Sequence, residues 1–225
     1  IRQKIYEDNH PNIAMSYNDI GITYNSLSEY NKALEYYQKS LEIYQKIYED
    51  NHPDIAMSYN NIGNTYDRLG EYNKALEYYQ KSLKIYQKIY EDNHPSIATS
   101  YNNIGNTYDS LGEYNKALEY KLKALEIRQK IYEDNHPNIA MSYNDIGITY
   151  NSLSEYNKAL EYYQKSLEIY QKIYEDNHPD IAMSYNNIGN TYDRLGEYNK
   201  ALEYYQKSLE IRQKIYEDNH PNIAM

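Results

Sequence analysis

Residues 51–92 read NHPDIAMSYNNIGNTYDRLGEYNKALEYYQKSLKIYQKIYED, and the rest of the chain repeats this stretch with minor variation. A His-Pro pair recurs every 42 residues and fixes the period, with its histidine at His10, His52, His94, His136, His178 and His220. Regular self-similarity of this length is typical of proteins whose units stack on one another. The sequence predicts one continuous array over residues 1–225, with full units at 9–50, 51–92, 93–134, 135–176 and 177–218.

Each unit is predicted to form two helices. Apolar residues recur every three or four positions in its first half, here named helix A, and again over about five turns in its second half, named helix B. Pro53 suits the first turn of helix A, and His52 before it suits the cap. Gly70 can take the left-handed conformation that ends a helix. Residues 1–8 then correspond to the end of a helix B, and residues 219–225 to the start of a sixth helix A.

A glycine in the middle of helix A needs a packing reason, because glycine there costs about 1 kcal/mol relative to alanine. All five full units carry it, as Gly63 does in the second. We expect the partner helix to approach closely at this point, with Ala75 as the small residue opposite. The unit is therefore predicted to be a tightly packed helical hairpin.

Several positions of the unit resemble the tetratricopeptide repeat. The matching residues are Tyr59, Ile62, Gly63, Tyr66, Tyr72, Ala75, Tyr79 and Leu83. The unit departs from the 34-residue form of that repeat, since Gln87 stands where that form often has proline and eight further residues follow. Its 42-residue length, His-Pro pair and Asn-Asn pair resemble the kinesin light chain type. An armadillo repeat would need a third helix, and no break for one lies between Glu71 and Glu91.

The resemblance implies an all-α fold: an α-solenoid of stacked antiparallel hairpins wound into a right-handed superhelix. It also implies that helix A lines a concave groove that binds an extended segment of a protein or peptide. The predicted groove residues are Asn18, Asn60, Asn61, Asn64, Asp67, Arg68, Asn102, Asn103, Asn106, Asn144, Asn186, Asn187 and Asn190. One asparagine per unit, as at Asn60, could donate to and accept from a peptide backbone. Met57, Met141, Met183, Ile22 and Ile148 are expected to add apolar contacts.

Composition argues against other classes of function. The net charge of −10 disfavours a nucleic-acid binder, because phosphate neutralisation needs clustered Lys and Arg. No stretch is apolar over the roughly 20 residues that a membrane span needs. There is no cysteine, and 33 tyrosines take the place of Phe and Trp. We expect a cytoplasmic protein that contacts neither nucleic acid nor membrane.

No pattern for catalysis, a metal or a cofactor emerges. The histidines occur once per unit, too far apart to converge on a zinc ion, and are interpreted as caps. The Glu-Asp pair before each Asn-His-Pro recurs identically, whereas a catalytic carboxylate pair needs two unlike environments. The sequence therefore predicts a non-catalytic scaffold without cofactor or metal. The alternative left open is a structural spacer or a self-assembling filament, formed by head-to-tail association of chains.

Overall fold

The computed structural model describes residues 9–218. This part of the chain is all-helical, with ten α-helices and no strand. In chain order they are α1 (Pro11–Ser26), α2 (Tyr30–Ile47), α3 (Pro53–Arg68), α4 (Tyr72–Ile89), α5 (Pro95–Ser110), α6 (Tyr114–Ile131), α7 (Pro137–Ser152), α8 (Tyr156–Ile173), α9 (Pro179–Arg194) and α10 (Tyr198–Asp218). Odd-numbered helices are the predicted helices A and even-numbered ones the helices B. The predicted helical-hairpin solenoid is confirmed.

Two compact units divide the chain, Ile1–Tyr120 and Lys121–Met225, and their boundary falls within α6. In the first unit α1 packs on α2, α2 on α3, α3 on α4 and α4 on α5. In the second, α7 packs on α8, α8 on α9 and α9 on α10. The single array over the whole chain and its right-handed superhelix stay predictions, and the expectations for residues 1–8 and 219–225 lie outside the described residues.

Histidine caps begin the helices A, as the His-Pro spacing predicts. The His52 backbone is extended, and its Nδ1 accepts a hydrogen bond of 3.2 Å from the backbone N–H of Asp54. The imidazole also stacks on Tyr48, with ring centroids 3.5 Å apart. The same cap recurs at His10, His94, His136 and His178. The histidines thus have a structural role at each described helix A.

The C-terminal ends of helix A and helix B differ in backbone conformation. Gly70 follows helix A with φ at 75°, in the left-handed region as predicted, and Ser28 takes the same place in the first hairpin with φ at 60°. Helix B ends without a left-handed residue. Tyr90 is extended, with φ at −121°, and neither Asp92 nor Asn93 has a positive φ.

The helix-A glycine faces an aromatic ring that our expectation did not include. The expected alanine also lies close to it, since a Cβ built on Gly189 would lie 3.3 Å from the backbone oxygen of Ala201, the counterpart of Ala75. A Cβ built on Gly63 would lie 2.9 Å from both Cδ1 and Cε1 of Tyr79. Tyr79 is buried, and burial raises the pKa of its hydroxyl well above the usual range. Gly147 meets Tyr163 in the same way, at 2.7 Å. The glycine makes room for a large side chain of helix B.

Tyrosine fills the space that Phe or Trp would fill elsewhere. Tyr78 of α4 lies between Tyr59 and Tyr66 of α3, with ring centroids 6.0 and 5.5 Å away. The hydroxyl of Tyr59 reaches a polar partner, because it accepts a hydrogen bond of 3.1 Å from Gln45 Nε2. Rings bury apolar area while the hydroxyl remains hydrogen bonded at the edge of the core.

Candidate functional site

Each helix A carries a row of mostly exposed residues along one face, with Asn64 half-buried, and these rows are here called the open stripe. In α3 it consists of Met57, Asn64 and Arg68, which are separated by seven and eleven residues from the first. These separations are close to two and three turns, so the three side chains share one face. The open stripe comprises Met15, Ile22 and Ser26 in α1, Met57, Asn64 and Arg68 in α3, Thr99, Asn106 and Ser110 in α5, Met141, Ile148 and Ser152 in α7, and Met183, Asn190 and Arg194 in α9.

Apolar side chains are unusually exposed in the open stripe. Met57 is 38% exposed and Met15 53%, while Ile22 and Ile148 are 45% and 42% exposed. Each lies on a helix whose opposite face is in the core, as Ile55 and Ile62 are in α3. The exposed methionines and isoleucines therefore belong to a surface and not to loose packing.

The first asparagine of each Asn-Asn or Asn-Asp pair does not point into open solvent, contrary to our expectation. Asn18 is 5% exposed, and its Oδ1 accepts a hydrogen bond of 2.8 Å from Nδ2 of Asn61 in the next helix A. Asn60 accepts from Asn103 at 2.9 Å in the same unit. In the second unit Asn144 accepts from Asn187 at 2.8 Å. These pairs link successive helices A side by side.

The remaining predicted groove residues divide between two locations. Asn102 is buried, Asn186 is half-buried, and Asp67 Oδ1 accepts a hydrogen bond of 2.9 Å from Thr107 of α5. Of these, Asp67 contacts a neighbouring helix, α5. Asn64, Arg68, Asn106 and Asn190 are the predicted groove residues that lie in the open stripe. Sequence periodicity placed all of these residues on one side of helix A, and it did not separate the residues in helix-to-helix contacts from those in the stripe.

The open stripe of each compact unit contains one cationic side chain, which is Arg68 in the first compact unit and Arg194 in the second. Nε of Arg68 donates to Oδ1 of Asn64 at 3.3 Å, and Nε of Arg194 donates to Oδ1 of Asn190 at 3.2 Å. The Ser28 hydroxyl, by hydrogen bonding, and then the Arg68 guanidinium hold the pKa of the Tyr30 phenol below its usual value. Each arginine is thus oriented by neutral neighbours and keeps its positive charge exposed.

No group of three or more His, Asp and Glu side chains in residues 9–218 is placed to hold a metal ion. Over the same residues no helix combines the length and the apolar character that crossing a bilayer requires. The open stripe is the candidate site because it joins exposed apolar groups to an oriented cation.

Comparisons with known proteins agree with this architecture. The tetratricopeptide repeat family model matches in overlapping segments, at residues 1–46, 14–88, 54–130, 96–172, 149–214 and 180–225. No curated protein sequence matches the chain.

Solved structures with the same fold include repeat proteins of the same type. The nearly identical TPR-like repeats of a Podosopora anserina protein assigned as a kinesin light chain align with a TM-score of 0.80 and 21% identity, over 92% of this chain and 98% of that one. BtubC from P. vanneervenii aligns with a TM-score of 0.82 and 24% identity, over 94% and 84% of the two chains. A Rap protein complexed with competence and sporulation factor gives 0.71 and 20%, over 90% and 54%. Identities this low establish the fold alone.

Proposed function

Because the chain belongs to the tetratricopeptide repeat family, whose repeats bind proteins or peptides, we propose that it is a non-catalytic scaffold that holds an extended peptide segment of a partner protein. The proposed binding surface is the open stripe, within either compact unit. The observation that carries the proposal is the row of exposed methionine and isoleucine side chains beside an oriented arginine. Its proposed compartment is the cytoplasm.

The chemistry of the stripe selects the kind of peptide. Met15, Ile22 and Met57 offer flexible apolar contacts that adapt to different side chains. Arg68 offers a planar group that can bind a carboxylate through two parallel hydrogen bonds. The proposed ligand is a segment in extended conformation with an acidic residue a few positions from a large apolar one. An acidic ligand needs this local cation, since the chain as a whole carries a charge of −10.

A peptide array tests the proposal directly. The probes are ten-residue peptides that combine Asp or Glu with Leu, Ile or Phe, each paired with its Asn or Gln counterpart. We expect the chain to retain acidic members and to release the amide counterparts. The Arg68→Glu/Arg194→Glu variant should lose most of this retention.

Lys84→Glu is the matched control for the arginine variant. It makes the same charge change per site on an exposed residue of helix B, where the four other units already have glutamate. Retention by this control should equal that of the parent. Equal loss in both variants would mean that overall charge governs retention, and no loss in the arginine variant would place the binding surface elsewhere; either result overturns the proposal.

A second candidate, end-to-end assembly of the 1–225 polypeptide, is favoured by one observation. On α10, Leu202 and Leu209 are 57% and 54% exposed, whereas their counterparts Leu76 and Leu83 on α4 are both 8% exposed. Any further repeat in a longer chain would cover this same face, so the test applies to the 1–225 polypeptide. Light scattering over a concentration series should show growing particles, and Leu202→Lys/Leu209→Lys should abolish growth. A monomer at all concentrations excludes assembly.

A further inference from the structure

One position of helix A varies together with a position of the preceding helix B. The helix A position is asparagine at Asn61, Asn103 and Asn187. In these units the helix B residue 17 positions earlier is tyrosine, at Tyr44, Tyr86 and Tyr170. Aspartate stands there at Asp19 and Asp145, and the residue 17 positions earlier is arginine, at Arg2 and Arg128. Both aspartate cases belong to one duplicated block, because residues 1–83 recur identically as 127–209. All five full units follow one of the two pairings.

In the second compact unit, α7 carries the aspartate at Asp145. Its contact with α6 contains two buried cations, both on α6. Lys121 is 3% exposed, and its Nζ donates hydrogen bonds of 3.1 Å to the backbone oxygen of Asp145 and to Oγ1 of Thr149, both on α7. In the other four full units the position of Lys121 is occupied by tyrosine. The cation is therefore held by groups of the helix that stacks against it.

Arg128 lies about two helical turns beyond Lys121 on α6. It is 5% exposed, and its Nη1 donates a hydrogen bond of 2.6 Å to Oγ of Ser142 on α7. Burial lowers the pKa of Arg128, and the charge of Asp145 opposes that shift. Asp145 is thus the negative charge that compensates a buried positive one across the α6–α7 contact. A buried charge without such compensation is strongly destabilising.

The contact between α8 and α9, in the same compact unit, has neutral residues at the equivalent positions. On α8, Tyr163 and Tyr170 are buried at the two equivalent places. Burial raises the pKa of Tyr170 to about 12, so its hydroxyl is neutral at physiological pH. The counterpart of Asp145 on α9 is Asn187, which donates its amide hydrogen to Asn144. An interface of phenols and an asparagine needs no compensating charge.

We infer that the Lys121, Arg128 and Asp145 cluster selects which helix A stacks on α6, and so fixes the order of otherwise nearly identical repeats. An Asn-type helix A placed on α6 would keep the threonine and backbone acceptors of Lys121 but would leave the buried Arg128 without a carboxylate. An Asp-type helix A placed on α8 would bury a carboxylate against phenol rings. Both mismatches bury a charge without its partner, whereas in the correct order Asp145 compensates Arg128. Identical repeats invite exchange between neighbours and between chains, and an unfavourable alternative prevents it.

A pair of matched exchanges tests the charge matching. Asp145→Asn should lower the urea midpoint of the parent chain, but it should raise the midpoint in a Lys121→Tyr/Arg128→Tyr background. At the neutral interface, Asn187→Asp should lower the midpoint of the parent and raise it in a Tyr163→Lys/Tyr170→Arg background. A shift of the same size and sign in parent and background, at both interfaces, would overturn the inference.

Refolding distinguishes selection of a neighbour from simple stabilisation. The chain has no native cysteine, so Gln129→Cys/Tyr143→Cys labels the α6–α7 contact, where Gln129 Nε2 and the Tyr143 hydroxyl are 3.0 Å apart. A short bifunctional thiol reagent measures how much of this contact forms before unfolding and after refolding at high concentration. The parent should recover its full crosslink yield, whereas Lys121→Tyr/Arg128→Tyr/Asp145→Asn should lose yield and gain crosslinked dimers. Equal recovery in both chains would mean that the cluster does not select the neighbour.

Discussion

Gly63 illustrates what a single residue reveals from sequence and what it conceals. Its cost in a helix predicts a close contact, and a close contact is found. The sequence did not tell which side chain makes that contact, because Ala75 and Tyr79 lie on the same face of helix B, four residues apart. Only the backbone positions place the Tyr79 ring against the glycine.

The substitution Gly63→Ala should destabilise the protein although alanine is the better helix former. The gain in helix propensity is about 1 kcal/mol, while overpacking a buried site costs about 1 to 3 kcal/mol. The added Cβ would meet the Tyr79 ring at 2.9 Å, and that ring is buried. We expect a net loss of roughly 1 kcal/mol in urea unfolding. Asn64→Ala, on the exposed side of the same helix, is the control, and a gain in stability for Gly63→Ala would refute the assigned contact.

Among the elements, the turns between helix A and helix B differ in how well their central residue suits the left-handed backbone conformation. Glycine takes the left-handed position at Gly70, Gly112 and Gly196, but Ser28 and Ser154 adopt φ of 60° and 61° at the equivalent places. The left-handed region costs a residue with a side chain about 1 to 2 kcal/mol. The sequence predicted the turn, and the strain at the two serines follows from the shared geometry.

Replacing Ser28 or Ser154 by glycine should therefore stabilise the chain by about 1 kcal/mol each. The gain is reduced by the lost hydrogen bond from Ser28 to Tyr30, which is solvent exposed and weak in effect. The reverse change Gly70→Ser, in the same turn of the second hairpin, should destabilise by a similar amount. Thermal unfolding of the three variants measures both directions. Glycine variants that melt below the parent would show that the serine conformation is not strained.

The exposure of individual residues on helix A could not be predicted from the sequence alone. Helical periodicity places Asn60 near Met57 and Asn64, and it predicts correctly that this face lies away from Ile62. It does not include the neighbouring helix A, which covers Asn60 and leaves Met57 exposed. Distances between helices depend on the packing of many side chains, and no pattern within one unit encodes them.

Asn60→Ala should consequently affect folding, because Nδ2 of Asn103 loses its acceptor at 2.9 Å. A hydrogen bond of this kind contributes about 1 kcal/mol. We expect Asn60→Ala and Asn103→Ala to lower stability by this amount individually, and the double variant to lose less than the sum of the two. Urea unfolding of the four chains of this double-mutant cycle gives the coupling. Strictly additive losses would mean that the two amides act independently.

At the scale of the molecule, the two compact units present the same binding chemistry. Met15, Ile22, Met57 and Arg68 of the first correspond to Met141, Ile148, Met183 and Arg194 of the second, since the two stretches are identical in sequence. If a stripe within one unit suffices, the chain should bind two peptides of equal affinity. Titration calorimetry with an acidic peptide from the array counts them. Arg194→Glu should reduce the count from two to one, and a count of one for the parent would contradict independent sites.

Photo-crosslinking tests most directly whether the open stripe is the binding surface. The probe is the best acidic peptide of the array with benzophenone at its apolar position, and mass spectrometry locates the attached residues. We expect attachment to the stripe of α1, α3, α7 or α9, at or beside Met15, Met57, Met141 and Met183, with loss of attachment in Arg68→Glu/Arg194→Glu. Attachment concentrated on the helices B, unchanged in that variant, would contradict it.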